Sequence, residues 1–276
     1  MTNLLFIGDI VGRPGRELVR RAVPALVAKH HIDLVIANVE NAAAGFGITP
    51  DLADDLLSFG VQVMTGGNHT WDKKEIVPYF SHQPRLLRPA NMPPGTAGHG
   101  RFVAMAGNGV PVAVINGMGR VFMTPIEDPF RVLPDEIAAV GTEAKIIFVD
   151  FHAEATSEKV AMGWHLDGRV TAMVGTHTHV QTADERILPK GTAYLTDVGM
   201  TGPHDSIIGV EIEPALGRFL TALPARFETA TGNPRLHAVV VEADEETGHA
   251  TDIERLSYSL DELKDMSSVG SVRSSI

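Results

Sequence analysis

The chain contains no cysteine. Neither a disulfide framework nor thiolate coordination of zinc or iron–sulfur clusters is therefore available, and any bound metal must sit on nitrogen and oxygen. The N-terminal segment Met1 to Asp9 has no basic region, and its apolar run is too short for a signal sequence or a membrane span. A cytoplasmic protein with no membrane partner is expected. Basic residues are in the minority, 23 against 34 acidic, for a formal charge of −11. That balance opposes extended contact with nucleic-acid phosphates. A small anionic ligand remains compatible with it if bound cations reverse the field locally. No internal repeat is present.

The 276 residues, 44% of them hydrophobic, can bury a substantial core as one domain without staples. Short apolar runs rich in β-branched residues mark buried strands at Leu4 to Ile10, Asp33 to Glu40, Val61 to Gly66, Lys145 to Phe151, Val170 to Gly175 and Ala193 to Thr196. Helical patterns follow the first two, over Pro14 to His30 and Pro50 to Phe59. In the second, Thr49 is the N-cap, Pro50 the first helical residue and Gly60 the stop. This alternation predicts a layered α/β fold. Arg101 to Ala106 and Val110 to Asn116 flank Gly107-Asn108-Gly109 and predict a hairpin, read as part of a small insertion around residues 85–125. Leu236 to Ala243 and Ala250 to Tyr258 predict a second antiparallel pair, which makes the sheet mixed. The domain is expected to span residues 1–263, with a mobile tail over 264–276 where the pattern loses periodicity.

Polar residues of metal-binding type recur where the strands end: Asp9, Glu40-Asn41, Asn68-His69, His152, and the pair His177 and His179. Ligands in open α/β sheets bind outside the carboxyl ends of strands, so five such segments of one sheet would converge on one site. Carboxylate oxygen, amide oxygen and imidazole nitrogen suit two adjacent divalent ions. Each piece has an ordinary explanation as well: Asp9 can shape a turn, Glu40 can be solvated, and His152 alone can be a core histidine. Two segments resist it. Gly66-Gly67-Asn68-His69 would present amide and imidazole from a tight turn, and Gly175-Thr176-His177-Thr178-His179 places two imidazoles at one strand terminus. The other eight histidines, among them His30, His31 and His237, fit no such pattern.

Taken in order, these segments resemble the blocks of the calcineurin-type metallophosphoesterase superfamily. Gly67-Asn68-His69 matches its Gly-Asn-His block, His152 its lone histidine, and His177-Thr178-His179 its final pair, with Thr176 inserted after Gly175. Asp9-Ile10-Val11 lacks the histidine of the first block, and Glu40 followed by Asn41 stands where that superfamily has aspartate. This combination is similar to the YmdB-like phosphodiesterases. The resemblance implies an α/β/β/α fold with mixed sheets flanked by helices, and a site of two divalent or trivalent ions, iron or manganese. In it Asp9, Glu40, Asn41 and His179 would hold one metal, and Glu40, Asn68, His152 and His177 the other.

The implied activity is hydrolysis of small phosphodiesters such as 2',3'- or 3',5'-cyclic nucleotides. Two metals roughly 3.5–4 Å apart would share a bridging hydroxide that attacks phosphorus. His69, beside ligand Asn68 and titrating near neutrality, would be the catalytic proton donor. Phe46 and Trp71, adjoining ligand segments, are candidates for stacking on a base. A homo-oligomer is the expected assembly. Two rival readings stay open: a nucleotide-binding regulatory or scaffold protein with little turnover, and a metal-dependent amidohydrolase. The second also uses a His-x-His pair, but places it early in the chain with a bridging lysine, and here no lysine lies near a candidate ligand in the sequence.

Overall fold

The computed structural model, which describes residues 1–272, begins with strand β1 (Thr2–Ile7), helix α1 (Gly12–His30), β2 (Leu34–Asn38), α2 (Pro50–Ser58), β3 (Val63–Thr65) and the short α3 (Ile76–Tyr79). The middle of the chain supplies β4 (Arg101–Met105), β5 (Pro111–Met118), α4 (Pro129–Val140), β6 (Ile146–His152), α5 (Thr156–Leu166), β7 (Ala172–Thr176), β8 (Arg186–Ile187) and β9 (Ala193–Leu195). Then come β10 (Gly202–Asp205), α6 (Ile212–Thr221), β11 (Gly232–Ala243), β12 (Ala250–Ser259) and α7 (Leu260–Val272).

The strands form two sheets. One has the order β10-β11-β1-β2-β3 with β12 against β11, and the other β4-β5-β6-β7-β9-β8. Both are mixed. β1, β2 and β3 run parallel, as do β5, β6, β7 and β9, while β11 pairs antiparallel with β1 and β12.

Alternation along each strand sorts side chains between layers. Leu5 and Ile7 of β1 pack on Leu18, Val19, Ala22 and Leu26 of α1. Their neighbours Leu4 and Phe6 face the other way and meet Val114, Ile146, Phe148 and Val174 of the second sheet. The far side of that sheet, with Ile115, Val149 and Met173, packs on Leu133 of α4 and on Met162 and Leu166 of α5. The result is helix, sheet, sheet, helix. Each wholly buried leucine, valine or phenylalanine contributes roughly 1.5–3 kcal/mol. Phe6 and Phe148 stack across the two sheets with centroids 5.2 Å apart and planes 24° from parallel.

Local signals behave as the side chains dictate. Thr49 caps α2 by accepting from the Leu52 N–H, and Pro50 occupies the first turn, where a missing donor costs nothing. Three features differ from the sequence reading. The five ligand-bearing strand ends do not belong to one sheet: β1, β2 and β3 lie in the first, β6 and β7 in the second. The hairpin near residues 85–125 is no peripheral insertion, because β5 is apolar on both faces and pairs in parallel with β6 from Val112 to Met118.

Beyond residue 263 the chain continues as α7 to Val272. Its start carries a capping box, and the weak pattern behind that cap is why the sequence reading expects no helix there. Ser259 Oγ accepts from the Glu262 N–H, and Glu262 Oε2 accepts in return from the Ser259 N–H at 2.6 Å. Residues 273–276, the rest of the expected tail, lie outside the described residues. Among the described residues, no helix is long and apolar enough to cross a membrane.

Candidate metal centre

Parallel strands deliver their carboxyl ends to the same edge, and the two sheets are stacked so that their edges coincide. β1 leads to Asp9, β2 to Glu40 and Asn41, and β3 to Asn68 and His69, while His152 is the last residue of β6 and His177 and His179 follow β7. The eight residues singled out in the sequence meet at this edge. Glu40, Asn41, His69, His177 and His179 line a cavity of about 180 Å³. Asp9 and His152 lie beneath it, each 0% exposed.

Three lone-pair atoms crowd one imidazole nitrogen. Asn68 Oδ1 lies 2.9 Å from His152 Nε2, and Glu40 Oε1 and His177 Nδ1 lie 3.0 Å from it. One nitrogen carries at most one proton, so hydrogen bonding satisfies only one of these approaches. A cation among the four would satisfy all of them, and Glu40, His152 and His177 offer ligand atoms within 4.8 Å of one another. Gly67 makes the approach possible, since a Cβ there would collide with the His152 ring and Glu40 Oε2.

The other half of the site has oxygens without hydrogen-bond partners. Asp9 Oδ1 and Asn41 Oδ1 are buried and accept no hydrogen bond. Asn41 spends its amide N–H on Gly45 O at 2.9 Å, and Asp9 Oδ2 accepts from the His177 N–H at 3.2 Å. Orphaned buried oxygens are costly. A cation is the partner that suits a carboxylate and an amide oxygen together.

Each histidine of the site has its second ring nitrogen tied down. His152 Nδ1 lies 2.9 Å from Thr176 Oγ1, whose hydroxyl donates to buried Asp150 Oδ1 at 2.7 Å. His177 Nε2 is 3.0 Å from Glu154 Oε2, and His179 Nδ1 is 2.8 Å from the Ile208 carbonyl. If the tied nitrogen carries the N–H, as its acceptor demands, His152 Nε2, His177 Nδ1 and His179 Nε2 are left bare for a metal.

The electrostatics point the same way. Burial alone would push His152 down, but the charge and hydrogen bond of Glu40, with Asp9 and Asp150 behind, outweigh it and raise the imidazole to about 9. Burial pushes the Glu40 carboxyl up, and His152 more than reverses that, holding it at about 2. His177, buried and beside the cationic His152, falls to about 3. Asp9 is pushed up by burial. The second proton, which makes His152 cationic, would sit on Nε2 among these acceptors, and a metal ion there would supply the positive charge in its place.

His69 is placed apart from this cluster. Its backbone N–H donates to Glu40 Oε2 at 2.9 Å and its Nδ1 meets Asp72 Oδ2 at 2.8 Å, so the opposite ring edge is free to face the cavity. Phe46 abuts it edge-on with centroids 5.0 Å apart. Trp71, the other aromatic candidate, packs against buried Phe80 instead.

Sequence reasoning missed several participants. Val11, Ile208, Val210 and Phe227 give the cavity an apolar wall, and no motif announces them. Asp150, Thr176 and Asp197 are polar residues in or beside apolar strands, a signal available but not distinctive. The expectation of no lysine near a ligand is corrected in space. Lys159 lies beneath the His177–His179 turn, with its Nζ 2.6 Å from Asp197 Oδ2, and therefore paired rather than bridging metals.

Fold and donor set together define a hydrolase of the metallophosphoesterase type. The YmdB-like protein family model matches residues 5–256, and the chain belongs to that family. It is 51% identical, over 95% of its length and 98% of the relative's, to a 2',3'-cyclic-nucleotide 2'-phosphodiesterase of Bacillus subtilis (strain 168). Among solved structures, it is similar to a novel phosphatase of Mycoplasma pneumoniae, with TM-score 0.88 and 34% identity over 95% of this chain and 96% of that one. A hypothetical protein of Thermus thermophilus aligns with TM-score 0.87 and 43% identity over 94% and 99%.

Proposed function

We propose that the chain is a dinuclear metal-dependent phosphodiesterase that opens 2',3'-cyclic nucleotides. The observation that carries this reading is the convergence of Glu40, Asn68 and His177 on His152 Nε2, next to unpartnered Asp9 and Asn41 oxygens. Asp9, Glu40, Asn41 and His179 would hold one ion, and Glu40, Asn68, His152 and His177 the other, with iron or manganese suited to this mixed oxygen and nitrogen set. Bound there, the cations would acidify water and neutralise phosphoryl charge.

The chain's own residues supply the rest. Water forms the new bond to phosphorus and releases a proton, the bond from phosphorus to the 2' oxygen breaks, and His69 gives that oxygen a proton that the one released by water replaces. Asp72 fixes the His69 ring for this task. The apolar wall of Phe46, Val11, Ile208 and Phe227 beside the donors supports a substrate with a flat base. Such a wall is of no use to inorganic phosphate. Leu216, Phe219 and Leu220 share an exposed apolar face of α6, which supports a homo-oligomer.

The test is elemental analysis of anaerobically purified protein together with hydrolysis of 2',3'-cyclic AMP, 3',5'-cyclic AMP and bis-p-nitrophenyl phosphate by the same batch. About two metals per chain and turnover of the 2',3' substrate are expected. Metal without turnover of any phosphate ester favours the binding or scaffold reading, and amide hydrolysis favours the amidohydrolase.

A further inference from the structure

Two alternate residues of the turn after β7 have backbone conformations that side chains avoid: His177 has φ 98° and His179 φ 65°. Such conformations persist only where surrounding contacts hold them. Thr178 lies between the two, and both of its polar donors go to one carboxylate. Its backbone N–H reaches Asp197 Oδ2 at 3.1 Å and its hydroxyl reaches the same oxygen at 2.7 Å.

The carboxylate is itself fixed from two other directions. Lys159 Nζ lies 2.6 Å from Oδ2, and the Gly199 N–H donates to Oδ1 at 2.8 Å. Lysine and aspartate side chains are each 1% exposed. Gly175 leaves the room they need, because a Cβ there would meet Lys159 Cδ and the Thr196 carbonyl. A buried ion pair adds little net stability over apolar residues of the same volume. What this pair does that apolar residues could not is present three further donors with one fixed acceptor, two of them from the residue between the metal-directed imidazoles.

We propose that Asp197, held by Lys159, is a positioning residue that sets the aim of His177 and His179 through Thr178, and so governs metal affinity without touching substrate. The proposal rests on the reading of His177 and His179 as metal ligands. Residues that orient ligands typically change metal affinity by about 10–100-fold when removed.

The experiment is Mn²⁺ titration calorimetry on metal-stripped full-length protein, with melting temperatures recorded in parallel. Thr178→Val keeps the backbone donor and loses the hydroxyl. It should fold with the parent's melting temperature and bind Mn²⁺ several-fold more weakly, and Thr178→Ser should restore the affinity. Asp197→Asn should bind about 10–100-fold more weakly, with activity recovering as Mn²⁺ is raised to saturation. A purely structural pair would lower the melting temperature and leave Mn²⁺ affinity alone. Parent-like affinity in folded Asp197→Asn, or in Thr178→Val where Asp197→Asn does not fold, overturns the proposal. A parent chain that takes up no Mn²⁺ overturns the ligand assignment instead.

Discussion

The two sheets contribute different chemistry to the same edge. The first supplies oxygen from Asp9, Glu40, Asn41 and Asn68, and the second supplies the imidazoles of His152, His177 and His179. They also differ in what their inward atoms meet. Every imidazole has an outer partner, in Thr176, Glu154 or the Ile208 carbonyl. On the oxygen side the outer atoms are held as well, Asp9 Oδ2 by the His177 N–H and Asn41 Nδ2 by the Gly45 carbonyl, but the inward Asp9 Oδ1 and Asn41 Oδ1 accept no hydrogen bond. The inward His152 Nε2 and His177 Nδ1 already lie 3.0 Å apart, whereas the two inward oxygens meet no donor. Both halves are braced from outside, and the oxygen half is the one that keeps buried acceptors open for a cation.

The strongest test of that division is the residue that joins the halves. Glu40→Gln removes the charge that touches both His152 and the His69 backbone. It should lower kcat/KM by more than the roughly 100-fold typical of a supporting residue, and elemental analysis should show metal lost from both positions. Full metal content with parent-like turnover would mean that Glu40 is not shared. Next in size is His69→Asn, on the oxygen side but outside the donor cluster. Turnover should fall by roughly 100-fold while metal content stays at the parent's level, which separates proton delivery from metal holding. Retained activity on 2',3'-cyclic AMP would remove His69 from the mechanism.

The smallest effect belongs to the bracing of the nitrogen side. Thr176→Val cuts the link from His152 to Asp150, and metal affinity should fall about tenfold with the fold intact. Should calorimetry return the parent's affinity, bracing of the imidazoles from outside does not govern metal binding.

Much of the centre was legible because its residues sit where chain geometry repeats itself. Apolar runs ending in Asp9, Glu40, Asn68, His152 and His177 are read one strand at a time, and Gly67-Asn68-His69 needs a tight turn whatever the fold. What could not be read was which strands share a sheet. That depends on the β4–β5 hairpin turning the chain into a second layer, a long-range event that leaves no mark at Asp9 or His152. Asp150, Thr176, Lys159 and Asp197 were hidden for another reason. They are defined by their partners, and a polar residue in an apolar strand looks the same with or without one. The helix after Ser259 was missed although its capping box was in plain view, because the amphipathic pattern behind the cap is weak.

The Phe6–Phe148 stack has a bearing on chemistry in which it takes no part. Phe6 on β1 lies three positions before Asp9, which follows the strand, and Phe148 lies four before His152 on β6. Backbone rise is fixed, so the two stacked phenyl rings help to set how far apart the sheets stand where the donors emerge. A misplacement of about 1 Å in such a site can cost 100-fold in rate. This apolar stack thus acts as a gauge block: trimming either ring is expected to change the spacing of the site without altering any residue that lines it.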